Sequence, residues 1–311
     1  EPVPIHALRF GLSRPLGDAD IAAAVEAARH ADLAVVFAGL NAEWDNEGLD
    51  RSGITLPHGQ NELITRVAAA NPRTVVVLQT GSPVMLPWLD RVPAVLQAWY
   101  PGQECGNAIA DLLLGAAEPG GRLTQTWPKR LEDGVAIGDA KSYPGVAGHV
   151  SYDEGVFIGY RHFEQHGFAP QFAFGHGLSY TRFEHGGLQL DRSRLAAGET
   201  LTLQTAVRNL GERAGQEVVQ VYVHDETARV PRPPQELKAF AKLALAPGET
   251  QVARLVLPMR AFAYFDEGRA AWLAEAGRYE IRVGSASDRI HQRAWVELTD
   301  DWVAPVAPVA P

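Results

Sequence analysis

Leu33-Ala-Val-Val-Phe-Ala-Gly39 decides the fold class. It is a short apolar run, rich in β-branched and aromatic side chains and closed by glycine, and it reads as a buried strand. Upstream, Asp18 stands where it can cap a helix running through about His30, with Ile21, Val25 and Ala28 on the apolar side. Downstream, Gly59 to Ala70 is helical with Leu63, Ile64 and Val67 on one side, and Asn71-Pro72 ends it before a second strand, Thr74 to Gln79. A third unit follows at once: Ala94 to Trp99 is strand-like, Gln103 to Leu114 is helical, and Gly115 with Pro119-Gly-Gly121 breaks it. Alternation of this kind predicts right-handed βαβ units on a mostly parallel sheet.

After roughly residue 186 the period changes from about 3.6 to 2. Leu201, Leu203, Thr205 and Val207 alternate with Thr202, Gln204, Ala206 and Arg208. Further strands are expected at Val218 to His224, Leu237 to Leu245, Gln251 to Leu257 and Tyr279 to Gly284, with turn signals such as Ala246-Pro-Gly-Glu249 between them. The fold class expected is therefore α/β followed by all-β, ending in an extended tail with a repeated Pro-Val-Ala triplet over 303–311.

Composition excludes several functions. With 28 basic against 37 acidic residues in 311, a net charge of −9 and no basic stripe, the chain is not expected to bind nucleic acid. No apolar run approaches the roughly 20 residues of a membrane span, so no membrane partner is expected. The single cysteine, Cys105, excludes a disulfide framework, leaves the compartment unread and fits a reducing cytoplasm slightly better than an oxidising exterior.

In an open parallel sheet, ligands bind outside the carboxyl ends of the strands. That rule selects the loops Asn41 to Gly53, Thr80 to Pro87 and Tyr100 to Glu104. The first is chemically the densest, with Glu43, Asp45, Glu47, Asp50 and Arg51 around Trp44. Crowded carboxylates raise one another's pKa, and partial burial beside an aromatic raises it further, which suits a proton donor near neutral pH. Carboxylates beside an aromatic also suit sugars, whose CH faces stack on rings while their hydroxyls bind charged acceptors. A solvated acidic loop has the same composition.

Other candidates are weaker. The ten histidines include no HExxH, and His162 with His166 lacks a carboxylate at ligand spacing, so no metal is expected. Ser82 is followed by Pro83 and lacks a Gly-x-Ser-x-Gly elbow, which makes it a turn residue. Gly175-His-Gly177 stops short of a dinucleotide fingerprint, and no cofactor is expected. Cys105, at a helix start, has no identifiable base partner and reads as a small packing residue.

A family likeness rests on several ordered motifs: Asn46-Glu-Gly-Leu-Asp-Arg51, Leu78-Gln-Thr-Gly-Ser-Pro-Val84, Trp99-Tyr-Pro-Gly-Gln-Glu104, Gly106-Asn-Ala-Ile-Ala-Asp111, Pro119-Gly-Gly-Arg-Leu123, Thr126-Trp-Pro128, Tyr152-Asp-Glu-Gly-Val-Phe-Ile-Gly-Tyr-Arg161 and Phe174-Gly-His-Gly-Leu-Ser-Tyr180. This series strongly resembles the C-terminal half of family 3 glycoside hydrolases, the β-glucosidase group. Glu217-Val-Val-Gln-Val-Tyr222, Pro233-Pro-Gln-Glu-Leu-Lys-Ala-Phe240, Leu245-Ala-Pro-Gly-Glu249 and Gly277-Arg-Tyr-Glu-Ile-Arg-Val-Gly284 resemble the fibronectin type III-like domain that follows in many members.

The resemblance implies a division into 1–15, the end of a preceding domain or a linker; 16–185, part of an α/β sandwich; 186–302, a fibronectin type III-like β-sandwich; and 303–311, the tail. Pro4 to Phe10 would be the last strand of an inserted PA14-like domain. By the Glu-Gly-x-Asp-Arg motif, Glu47 is the implied acid/base of a retaining β-glucosidase, and Trp44 is the candidate for lining the aglycone side. Members place a (β/α)8 barrel with an Asp nucleophile first, and these residues carry no such barrel. The implied partners are a β-glucoside or oligosaccharide substrate and an N-terminal barrel-bearing polypeptide of the same gene product, without which this chain is expected to be inactive. Two other readings stay open. One is a non-catalytic carbohydrate-binding or interaction module; the other is a flavodoxin-like enzyme, for which no phosphate-binding glycine-rich turn is found.

Overall fold

The computed structural model describes residues 16–48 and 50–306, in two compact units that divide between Gln103 and Glu104. The strand expected at Pro4 to Phe10 lies outside the described residues, as do 307–311.

The first unit opens with α1 (Asp18–Arg29). Its cap falls one residue earlier than expected, on Gly17, whose N–H donates to Asp20 Oδ2 at 3.1 Å. Asp18 instead lies in the first turn, where a carboxylate favours the positive end of the helix, and accepts from Arg66 at 3.1 Å. Ile21 and Ala28 are buried as the periodicity requires. Next come β1 (Ala34–Gly39), α2 (Gln60–Ala70), β2 (Thr74–Gln79) and β3 (Ala94–Gln97). The three strands form a parallel sheet in the order β1-β2-β3, with Ala34 opposite Thr74 and Val75 opposite Ala94. Buried Asn71 locks the two helices together, donating to the carbonyls of Ala28 and Ala31 at 2.9 Å each.

Burial in this sheet differs between strands. Central β2 buries Val76, Val77 and Leu78 completely. In contrast, the composition of β1 implies burial, yet Ala38 is its only buried residue and Phe37 is 56% exposed. The reason is position: among the described residues β1 is an edge strand paired on one side only.

The second unit begins with α3 (Cys105–Leu113) and α4 (Tyr160–His166) and continues through eleven strands. These are β4 (Phe183–Leu190), β5 (Arg194–Leu195), β6 (Leu201–Asn209), β7 (Gly215–Asp225), β8 (Glu236–Leu245), β9 (Thr250–Leu257), β10 (Tyr264–Asp266), β11 (Ala271–Ala274), β12 (Gly277–Ala286), β13 (Arg289–Leu298) and β14 (Trp302–Pro305). A five-stranded sheet, β5-β13-β12-β7-β8, and a three-stranded one, β4-β6-β9, hold a common core that includes Leu203, Val207, Val221, Leu255, Ile281 and Val296. Strand periodicity decides which residues enter it: Leu201, Leu203, Thr205, Val207 and Asn209 of β6 are buried, while the residues between them are not. β10, β11 and β14 make a separate small antiparallel sheet.

The stretch before β4 is fastened to this β-sandwich by buried polar pairs. Arg122 and Glu217, both 9% exposed at the side chain, pair at 2.9 Å. The Tyr160 hydroxyl accepts the backbone N–H of Leu237 at 2.8 Å, and Gln235 Nε2 donates to Glu164 Oε1 at 2.8 Å. Burial pushes the Glu164 carboxyl from an ordinary value of 4.5 up to about 7, only partly offset by the Gln235 hydrogen bond. Because the folded value lies above the unfolded one, Glu164 contributes stability that is fully present below about 4.5 and is lost as pH rises through about 7. Chemical denaturation of wild type and Glu164→Gln across that range should give a difference that moves toward the variant as pH rises. A pH-independent difference would refute this assignment.

Candidate active site at the strand ends

The loop after β1 begins at the most constrained point of the sheet. At Gly39 a Cβ atom would lie 2.1 Å from the Gln79 carbonyl oxygen of β2, so only glycine lets the two strands close here. The Gln60 side chain then clamps the strand end, accepting from Gly39 N at 2.7 Å and donating to Gly39 O at 3.0 Å. From there the chain turns on Asn41, whose carbonyl accepts the N–H groups of Trp44 at 3.0 Å and Asp45 at 2.9 Å, while its side chain accepts that of Glu43 at 2.9 Å. These local bonds fix the residues leading to Glu47.

Long-range bonds bring the three strand-end loops together. Asp45 Oδ2 accepts the Gly81 N–H at 3.1 Å and the Tyr100 hydroxyl at 2.8 Å, so one carboxylate joins the loops after β1, β2 and β3. Partial burial and this bond to Asp45 push the Tyr100 phenol above its usual range, which keeps it the donor. A second tie is Arg51, which donates to Ser82 Oγ at 2.8 Å. Gly81 is glycine for steric reasons, since a Cβ there would sit 2.7 Å from Asp45 Oδ2 and 2.9 Å from the Tyr100 ring.

The carboxylates of the loop thus divide by environment. Asp45 is committed to the ties. Glu47 is exposed and makes no side-chain hydrogen bond or ion pair among the described residues, and the same holds for Glu43. The expected burial of Glu47 beside Trp44 is not found in this chain. Trp44 instead packs edge-on to His58 at 5.3 Å between ring centres. It lines a cavity of about 240 Å3 with Asn41, Pro57, His58, Gln60 and Gln79, and Glu47 is not among the lining residues. The Trp44 indole N–H is buried without a hydrogen-bond partner among the described residues.

Sequence reasoning gave no role to Tyr100 or His58. Tyr100 did stand at the start of one of the three loops selected by strand-end position, which was the available signal. His58 carried none.

Comparison with known proteins bears on this arrangement. Residues 4–180 match the glycosyl hydrolase family 3 C-terminal domain, and residues 217–287 match a fibronectin type III-like domain. A β-glucosidase of Rhizobium radiobacter is 52% identical over 302 residues, which are 97% of this chain and 37% of that protein. Thermostable β-glucosidase B of Acetivibrio thermocellus is 42% identical over 264 residues, covering 85% of this chain and 35% of that protein. The crystal structure of a Kluyveromyces marxianus β-glucosidase in complex with glucose superposes with a TM-score of 0.86 at 40% identity, over 92% of this chain and 34% of that one. The chain therefore spans about a third of the length of these relatives.

Proposed function

Because the chain belongs to glycosyl hydrolase family 3, whose C-terminal domain its residues 4–180 match, we propose that it is the C-terminal part of a retaining β-glucosidase and that Glu47 is the general acid/base. The observation that carries the assignment is the contrast within one loop: Asp45 is held by Gly81 and Tyr100, while Glu47, two residues on, is exposed and has no side-chain partner among the described residues. A carboxyl with no partner of its own can meet a substrate oxygen, and the bracing fixes where it does so. Glu43 shares the freedom but not the Glu-Gly-x-Asp-Arg motif.

In this reading Glu47 gives its proton to the glycosidic oxygen as the bond to the anomeric carbon breaks. A second carboxylate, from the barrel that the family places first, attacks that carbon and forms a glycosyl ester. Retention requires the two carboxyls to stand roughly 5–5.5 Å apart. Glu47, now ionised, takes a proton from water, whose oxygen displaces the carboxylate and releases the sugar with its original configuration. The second carboxylate is also what this chain alone does not provide, and docking beside it would supply the burial that Glu47 lacks here.

The test is the configuration of the first product. Proton NMR of methyl β-glucoside hydrolysis by the full-length protein should show β-glucose first, with the α anomer appearing only by mutarotation. Initial α-glucose, or sugar binding with no turnover, would defeat the proposal.

Trp44 completes the reading as the residue on the aglycone side, supported by its unpaired indole N–H. Trp44→Ala should raise KM for aryl β-glucosides by roughly three- to tenfold, the scale of one aromatic contact, with a smaller change in kcat. An unchanged KM would return Trp44 to a packing role.

A further inference from the structure

The largest cavity among those described lies in the second unit. It has a volume of about 640 Å3, within the range of small-molecule sites, and is enclosed by α4, the segment after it, the residues before β8 and the β12–β13 hairpin. Its walls combine two kinds of surface. Tyr160, Phe163 and Phe168 supply aromatic rings, and the acids Glu164 and Asp288 face the guanidinium-bearing Arg282 and Arg293.

Most of these polar groups already have partners. Arg282 donates to the Pro234 carbonyl at 3.1 Å and to Gln235 Oε1 at 3.3 Å and also pairs with Glu280, to which Arg293 bonds at 2.8 Å. Gln235, 4% exposed, donates to Glu164 Oε1 at 2.8 Å and to the Ser287 carbonyl at 2.7 Å. Two atoms of lining residues are exceptions, Glu164 Oε2 and Thr126 Oγ1, buried oxygens with no hydrogen-bond partner among the described residues. A buried acceptor left unpaired calls for a donor from outside the chain.

The chemistry of that donor follows from the walls. An anion would find Arg282 and Arg293 sharing Glu280 and would also meet Glu164 and Asp288. A cation would meet Arg282 and Arg293, and the lining acids and bases balance in number. A wholly apolar ligand would leave Glu164 Oε2 unsatisfied. What fits is a neutral molecule with hydroxyl donors and CH faces that can lie on rings. We propose that this cavity is a saccharide-binding site for one or two sugar rings, with a ligand hydroxyl donating to Glu164 Oε2 and a sugar face packed on the aromatic wall. This site does not depend on Glu47 being the acid/base, because every residue that forms it lies between Thr126 and Arg293.

The test is hydrogen exchange of the full chain with cellobiose as probe. Cellobiose should protect the amides of 160–170 and 287–293 in a saturable way. Glu164→Gln should weaken that protection by roughly tenfold, the scale of one hydrogen bond. Ala169→Trp, which fills the cavity from an exposed wall position, should abolish it. The proposal is overturned if cellobiose protects neither segment, if both variants bind as wild type does, or if inorganic phosphate or n-butylammonium protects them where cellobiose does not. Protection confined to residues 41–53 would also overturn it, while leaving the role of Glu47 intact.

Discussion

Replacing Glu47 by glutamine in the full-length protein is expected to lower kcat for methyl β-glucoside by roughly 10²- to 10⁴-fold, the usual range for losing a positioned general acid. The size of the loss should follow the leaving group. An alkoxide cannot depart without a proton, so an alkyl glucoside feels the full effect. A nitrophenolate leaves unaided, so with that substrate the first step survives and the second, in which Glu47 would activate water, becomes limiting. Azide needs no deprotonation and should restore turnover there, yielding the β-glucosyl azide. Glu43→Gln, which alters the other unpaired acid of the loop, should behave as wild type. The 311-residue chain alone should hydrolyse neither substrate. Wild-type rates in Glu47→Gln, or turnover by the isolated chain, would remove Glu47 from the role assigned to it.

The second large effect is expected at a residue that touches no substrate. Gly81→Ala would place a methyl group 2.7 Å from Asp45 Oδ2 and 2.9 Å from the Tyr100 ring, and both must yield. Losing that tie frees the backbone two residues before Glu47. A displacement of about 1 Å at a catalytic group can cost roughly 10²-fold in rate, which is the loss expected in kcat. On this reading Gly81 acts by positioning, so the variant should keep KM and melting temperature close to wild type while the alkaline limb of the pH–rate profile, which reports the general acid, shifts. Tyr100→Phe, which removes one of the two donors to Asp45, should fall between Gly81→Ala and wild type. A drop confined to stability, with an unchanged pH profile in the surviving protein, would show that Gly81 is merely structural.

How far the residues alone foretold this molecule depended on the range of the forces involved. Alternating α and β segments up to α3 were legible because helix and strand periods are local properties, and β2 is buried as its composition implies. β1 has the same apolar composition but sits at the sheet edge, and edge position is a fact of topology that no window of sequence contains. The ten-residue strand β13 was missed because its outward side is charged or polar almost throughout. α4, seven residues between Gly159 and Gly167, is too short to establish a period. At the candidate site the acidic loop stood out by density of charge. The bonds that brace it did not, because Asp45 reaches partners 36 and 55 residues away.

The way the second unit is fastened also constrains how such proteins can recombine. Arg122 with Glu217, Gln235 with Glu164, and Tyr160 with the Leu237 backbone each join the stretch before β4 to the strands after it. A crossover between genes at the family boundary near residue 180 would part every one of these pairs and leave an arginine and two carboxylates buried without their counterparts. The piece that can be inherited intact is therefore longer than the fibronectin-like domain and takes in the segment from Glu104 onward, so natural or designed chimaeras should tolerate a junction near Gln103 better than one beside β4.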